Sequence, residues 1–312
     1  MTALSGYPGP ERAFGEVHAQ DLLLEPGPAD DKYSRGVLGM LTGSARFPGA
    51  AVLGVEAALR MGVGMVRYLV PDQAPRTLVL SRRPEVVAEP GRVQAWLIGS
   101  GTRADDRGEA GPGEAGSEAA GLLDSARRSA LGSGLPCVLD AGALELVREA
   151  QGPVVLTPHA GELTRLLDAL GVDGPRPGAA PAVEVAAAAA DALGAVVLLK
   201  GSVTHVATPG GWAAAVGPAS PWLATAGTGD VLAGILGALV AAHAAVRTLR
   251  MEDLGPLAAT AAVVHGMAAR VASAGAPLLA LELAEAVTPA LRELLGARRR
   301  SGAGAGAGGT RA

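Results

Sequence analysis

An α/β fold built on a mainly parallel sheet is the class this chain predicts, and three observations predict it. Short apolar runs of strand character alternate with Ala-rich runs of helical spacing, so the chain repeats strand, loop and helix. Several of those strands run straight into small-residue turns, at Gly43, at Gly99-Ser100-Gly101 and at Gly201, and glycines after a buried strand mark the carboxyl end of a parallel sheet, where such folds bind ligands. With 312 residues, 49% of them hydrophobic and 18% charged, the chain can bury the core such a fold needs.

In chain order, residues 1–31 are rich in Pro and Gly, carry one apolar patch at Leu22-Leu23-Leu24, and read as a lead-in arm. The strand-like run 37–43 follows and ends in Gly43-Ser44-Ala45-Arg46-Phe47-Pro48-Gly49. Pro48 suits a first helical turn, and Ala50, Ala51, Leu53, Ala57, Ala58 and Leu59 recur at helical spacing until Gly62 and Gly64 stop them. Residues 63–70 return to strand character and complete a first βαβ unit. The next strand is Ala95-Trp96-Leu97-Ile98. Residues 103–121, rich in Gly, Glu and Asp and without periodicity, read as a mobile surface insertion. A helix to about residue 131 leads to the strand 136–139, which closes at Asp140-Ala141-Gly142. Val154-Val155-Leu156 leads into Thr157-Pro158-His159-Ala160-Gly161-Glu162-Leu163. A Pro- and Gly-rich loop over 171–181 precedes an Ala-rich helix, then the strand 195–199 and Lys200-Gly201-Ser202-Val203-Thr204-His205-Val206. Helices near 257–275 and 280–295 close the domain. The low-complexity residues 297–312 are expected to be disordered, and no repeat of solenoid period occurs.

Composition excludes several function classes. A net charge of −4, with arginines scattered apart from Arg298-Arg299-Arg300, offers no basic face for nucleic acid. The N-terminus lacks a positive start and a continuous apolar core, so it does not read as a secretory signal. The longest apolar run, 231–242, falls short of the ~20 residues a bilayer span needs. A cytoplasmic location follows by elimination. The one cysteine, Cys137, has no intramolecular partner and reads as a buried small hydrophobe.

The stretch with most chemistry is Thr225-Ala226-Gly227-Thr228-Gly229-Asp230, which opens the apolar segment 231–240. Gly227 and Gly229 let backbone approach a ligand, and the amides of Gly227, Thr228 and Gly229 at a helix start favour an anion. Two readings stand for Asp230: a helix-capping acid stabilised by the dipole, or a general base beside a phosphate site. His159 is either a satisfied loop histidine or a ligand contact, and Glu162 either a first-turn acid or a catalytic one. Lys200, after five apolar residues, needs an anionic partner if buried, and is either a solvated strand-end lysine or a nucleotide contact. Asp140 is a strand-end turn residue or a carboxylate for substrate or metal.

Several separated blocks together resemble the ADP-dependent (S)-NAD(P)H-hydrate dehydratases of the ribokinase-like superfamily. They are Gly43-Ser44 with Phe47-Pro48-Gly49-Ala50-Ala51, Ala58-Leu59-Arg60-Met61-Gly62-Val63-Gly64, Gly99-Ser100-Gly101, Thr157-Pro158-His159-Ala160-Gly161-Glu162, Lys200-Gly201 with Thr204, and Ala226-Gly227-Thr228-Gly229-Asp230-Val231-Leu232. The resemblance implies a three-layer αβα ribokinase-like fold over residues 32–296, with the site along the strand carboxyl ends. It implies that Ala50, Gly101, His159 and Asp230 meet the hydrated dinucleotide (NADHX or NADPHX). Lys200, Gly201, Ser202, Val203, Thr204 and Gly229 would then meet the adenine nucleotide. By the same resemblance, ADP is the co-substrate with Mg²⁺, Asp230 assists the attack of the ring hydroxyl on the terminal phosphate, and the protein is a homotetramer. The metal ligands stay unassigned. Ala226, Ala160 and Ser100 stand where the family has Gly, Pro and Pro. Gly142 stands where it often has a second Asp, so Asp140 is left outside the expected site. No epimerase domain is expected before residue 32, and an NAD(P)HX epimerase on another chain is the expected functional partner. The rivals are a small-molecule kinase of the same superfamily, of hydroxyethylthiazole or hydroxymethylpyrimidine kinase type, and a non-catalytic nucleotide sensor.

Overall fold

The computed structural model describes residues 11–100 and 114–306. Nine strands form one sheet: β1 (Arg12–Ala13), β2 (Val37–Leu41), β3 (Met65–Tyr68), β4 (Ala95–Ile98), β5 (Cys137–Leu139), β6 (Val154–Leu156), β7 (Val196–Leu199), β8 (Thr204–Ala207) and β9 (Ala213–Val216). Their order is β1-β9-β8-β7-β6-β5-β4-β2-β3. Every neighbouring pair is parallel except β7–β8 and β8–β9, whose short connections can only reverse the chain. The inner strands are buried along their whole length, which is why they read as unbroken apolar runs rather than as alternation.

Among the described residues ten helices flank the sheet: α1 (Glu16–Gln20), α2 (Pro48–Met61), α3 (Gln73–Arg82), α4 (Glu114–Leu131), α5 (Ala160–Ala169), α6 (Ala182–Leu193), α7 (Thr228–Val246), α8 (Met251–Ser273), α9 (Ala280–Glu285) and α10 (Val287–Gly306). The strand order runs one way from β2 to β3 and the opposite way from β4 to β7, so the right-handed rule for parallel crossovers predicts α2 on one face and α4 to α6 on the other. α7 and α8 join α2. The α/β class with a mainly parallel sheet expected from the sequence is the observed one.

Close packing of α2 on α7 positions the site. An added Cβ at Gly234 would collide with the Gly54 carbonyl, and one at Gly54 would meet the Met40 side chain at 3.2 Å and the Asp230 carbonyl at 3.5 Å. Glycine at both crossings therefore brings the two backbones together and fixes where the α7 tip lies. By length and composition α7 and α8 are long and apolar enough to cross a membrane, but most of each is buried in the protein.

Three boundaries differ from the sequence expectation. The arm is not a separate lead-in after residue 11: β1 pairs with β9, α1 packs on α8, and Ala19 and Leu23 are buried. The region expected to be a mobile insertion carries the first turns of α4 from Glu114, while residues 103–113 lie outside the described residues. α10 continues to Gly306, through residues expected to be disordered. Ala and Arg are strong helix formers, and Arg298 donates to the Leu23 carbonyl at 3.1 Å while Arg299 pairs with Glu25.

Candidate active site

The site forms where β2, β4, β5, β6 and β7 end beside the N-terminus of α7. Gly227 caps α7 with φ 90°, a left-handed conformation, and an added Cβ there would lie 2.5 Å from Leu53 Cδ1 of α2. Only glycine satisfies both demands. Among the described residues the amides of Gly227 and Gly229 find no protein acceptor, as expected of a first helical turn awaiting an anion. The Thr228 amide is partly committed, donating to the Thr225 carbonyl at 3.4 Å. The Thr228 hydroxyl lies within hydrogen-bond reach of the Leu223 and Thr225 carbonyls at 2.8 and 2.9 Å, and so closes the loop on itself.

Across that tip lies a polar chain built from separate strands. His159 ends the β6 connection and caps α5: its Nδ1 accepts from the Gly161 and Glu162 amides at 3.1 and 3.3 Å, and the Glu162 carboxylate accepts from the His159 amide at 2.8 Å. This reciprocal cap places the neutral ring's proton on Nε2. It also explains the Pro-His-x-Gly-Glu block, because Gly161 leaves room for the imidazole 3.2 Å from where its Cβ would be. Lys200 lies beside His159, its amide donating to the Pro158 carbonyl at 2.8 Å. Its Nζ is 3.1 Å from Asp140 Oδ1, 3.6 Å from Glu162 Oε2, and 3.4 Å from where a Cβ on Gly229 would stand. Burial works against this ammonium, but Asp140 and Glu162 outweigh it and hold its pKa above the ordinary lysine value.

Asp230 meets a different environment. Ser100 Oγ donates to its Oδ1 at 3.3 Å, and no cation of the described residues comes within 4 Å. Burial and then the neighbouring Asp140 carboxylate push its carboxyl up to about 6, against the Ser100 hydroxyl and the Lys200 ammonium. A carboxylate with that proton affinity is matched to general-base work near neutrality.

A cavity of about 1310 Å³ opens on one side of the α7 tip, and His159, Lys200, Gly201, Ser202, Thr204, Thr228 and Gly229 all line it. Its far wall is Phe14 and Glu16 of the arm with His265, Met267 and Arg270 of α8. Val203 does not line it. Ala50, Ser100 and Asp230 are not among the residues that line it; Ser100 follows β4 and reaches Asp230, and Ala50 is in the first turn of α2, one helical turn before Leu53. Gly101 falls outside the described residues.

Two site residues escape the sequence expectation. Asp140, set aside on the strength of Gly142, is 4% exposed and accepts from Thr157 Oγ1 at 2.6 Å as well as from Lys200. The signal was present in the rule applied to Lys200: a charged residue directly after a buried strand needs a partner. His265, in the apolar run of α8, gave no such signal. Its Nε2 donates to the Thr228 carbonyl at 2.9 Å, and burial drives its imidazolium pKa down to about 4, so a neutral ring braces the anion loop.

An α/β protein with a glycine-rich helix tip beside a large cavity at the carboxyl ends of its strands is the class that fold and site define. Comparison with known proteins makes this specific. The NAD(P)H-hydrate dehydratase family model matches residues 38–289, and the chain belongs to that family. It is 44% identical over 228 residues to a bifunctional NAD(P)H-hydrate repair enzyme of Mycobacterium tuberculosis, covering 69% of this chain and 43% of that protein. It is 37% identical over 227 residues to an ADP-dependent (S)-NAD(P)H-hydrate dehydratase of Xanthomonas campestris, covering 69% of this chain and 76% of that one. The chain thus spans about half the length of the bifunctional relatives it matches. Among solved structures, the Bacillus subtilis ADP/ATP-dependent NAD(P)H-hydrate dehydratase, co-crystallized with ATP and Mg²⁺, superposes with a TM-score of 0.69 at 25% identity, covering 94% of this chain and 100% of that one. Hydroxyethylthiazole kinase of Pyrococcus horikoshii, at a TM-score of 0.55 and 20% identity over 88% of this chain and 92% of that one, shares the fold.

Proposed function

We propose that this chain is an ADP-dependent dehydratase that returns the S epimer of hydrated NADH or NADPH to the reduced dinucleotide, with AMP and phosphate as the other products. The carrying observation is that Asp230, proton-avid and without a cation within pairing distance among the described residues, sits in the first turn of α7 with the amides of Gly227 and Gly229 beside it and Lys200 Nζ 3.4 Å from where a Cβ on Gly229 would stand. Adenine nucleotide fits the large cavity, its phosphates reaching the amides and the ammonium. The hydrated ring fits the Ala50 and Ser100 side. Asp230 takes the ring hydroxyl's proton as that oxygen attacks the terminal phosphoryl group, and AMP departs. The phosphorylated oxygen then leaves as phosphate while the ring loses a proton and regains its double bond. Hydroxide is a poor leaving group and phosphate a good one, so phosphorylation is what the dehydration needs.

Mg²⁺ enters this reading with the nucleotide. No cluster of three or more His, Cys, Asp or Glu suited to a metal occurs among the described residues, in keeping with an ion held chiefly by substrate phosphate oxygens and water. Bound there, it would offset the charge of the diphosphate. An epimerase on another chain is the functional partner in this reading, in keeping with relatives that are bifunctional NAD(P)H-hydrate repair enzymes. The free Cys137, buried with its thiol pushed up to about 12, is compatible with a reducing compartment.

The test is recovery of the reduced-nicotinamide absorbance band when the purified chain is mixed with NADHX, Mg²⁺ and ADP. Recovery supports the dehydratase, and its absence with every adenine nucleotide removes it. A small-molecule kinase would instead consume ATP and retain a phosphorylated product.

A further inference from the structure

We infer that Asp140 is a positioning residue of this site: fastened by the buried Thr157 hydroxyl, its carboxylate holds the Lys200 ammonium over the first turn of α7 and so keeps it from pairing with Asp230. The inference rests on the proposed role of Asp230 as base.

Thr157 has one hydroxyl proton and two acceptors in reach, Asp140 Oδ1 at 2.6 Å and the Leu139 carbonyl at 3.4 Å. The short bond to an ionised oxygen is much the stronger, so the proton goes to Asp140. Thr157 is fully buried, and its amide donates to the Leu139 carbonyl at 3.2 Å, so the hydroxyl is itself fixed by the β5–β6 ladder. Asp140 Oδ1 therefore has a set place, and the same oxygen receives Lys200 Nζ.

One ammonium serves three carboxylates here. Lys200 pairs with Asp140 and Glu162, while Asp230 feels its charge from beyond pairing distance. Glu162 is already engaged by the His159 amide, so it cannot swing to take the ammonium alone. Without Asp140, the unclaimed partner is Asp230, and a base in a salt bridge is a poor base. Asp140 thus acts twice, by restraining the cation and by setting a second negative charge near Asp230. The groups facing Asp230 are Ser100 after β4, Asp140 after β5 and Lys200 after β7, with Glu162 of α5 paired to the ammonium. His265 of α8 donates to the Thr228 carbonyl and feels the Lys200 charge.

The test compares Asp140→Asn with the parent full-length chain. The Asp230 carboxyl is titrated by ¹³C NMR without ligands, its resonance assigned by its loss in Asp230→Asn, and ADP affinity and turnover are measured alongside. The expected result is a downward shift of about one pH unit in the Asp230 titration. ADP affinity should weaken about threefold with the displaced ammonium, and kcat should fall about tenfold or more. An Asp230 titration that stays in place, with ADP affinity and kcat within about twofold of the parent, overturns the inference. So does a fall in Tm with the titration unmoved, which leaves Asp140 a merely structural acid. Thr157→Val keeps the charge but frees the carboxylate, and should move the titration in the same direction by less. If Asp140→Asn does not fold, an unshifted titration in Thr157→Val overturns the inference instead. A parent that fails to dehydrate NADHX would remove the proposed function. The Asp230 titration and the ADP affinity would still decide the place of Asp140.

Discussion

Glu56 and Asp230 are carboxylates on two helices that touch at glycines, and they have opposite fates. The Glu56 side chain of α2 is 0% exposed, yet Arg60 lies 2.6 Å away, Arg82 3.5 Å away and Arg83 in direct contact. Burial pushes its carboxyl up, but the Arg83 and Arg60 hydrogen bonds outweigh it and hold the group below the usual carboxylate range. Asp230 has one hydroxyl and no cation in contact, and its carboxyl rises to about 6. Burial is common to both, so the arginines in contact with Glu56 and the Asp140 carboxylate near Asp230 decide the difference. Glu56 ties α2 to the loop that follows α3, whereas Asp230 is left able to accept a proton.

The contrast can be broken at either end. The largest effect is expected from Asp230→Asn: turnover of NADHX should fall by about 10² to 10⁴-fold, with ADP affinity in calorimetry within about threefold of the parent. Glu56→Gln should do the reverse, lowering unfolding free energy in urea by about 2–4 kcal/mol while ADP affinity holds. Because the native Glu56 pKa is depressed, the stability it contributes is present above its ordinary value of 4.5 and is lost as pH falls through the lowered native value. The gap between parent and Glu56→Gln should therefore narrow in acid.

Gly227→Ala forces a side chain into left-handed backbone against Leu53 and should cost about 1–2 kcal/mol or more. ADP affinity should fall with it, because the tip amides shift. The smallest effect sharpens the comparison most. Asp230 is raised from 3.8 to about 6 in the folded chain, so the folded state binds the extra proton and parent stability falls as pH rises between those values. Asp230→Asn lacks that loss and should melt about 2 °C higher than the parent above pH 6, with no gain below pH 4.

Much of the fold was legible because its signals are local. Buried parallel strands read as apolar runs, and Gly43, Gly99 and Gly201 mark their ends. What escaped depends on distant partners. β9 is Ala-Ala-Ala-Val, helix-forming by propensity, and is a strand because β8 and β1 pair with it on either side. The arm looked loose because its two-residue strand is too short to show a period. In the site, Asp230, Lys200 and His159 stood out by their positions next to glycines and strand ends. Asp140 was a candidate set aside because of Gly142, and the fold restores it by bringing it to Lys200, 60 residues away in sequence; His265 escaped because a lone histidine in a helical apolar run gives no pattern.

The claim that a cation-poor carboxylate does the chemistry is tested most directly by the pH dependence of kcat/KM for NADHX at saturating ADP and Mg²⁺. An acid limb with an apparent pKa near 6 is the expected result, rising from pH 5 to a plateau above 7. A rate that is level across pH 5 to 8, or an unchanged profile in Asp230→Asn, would contradict it.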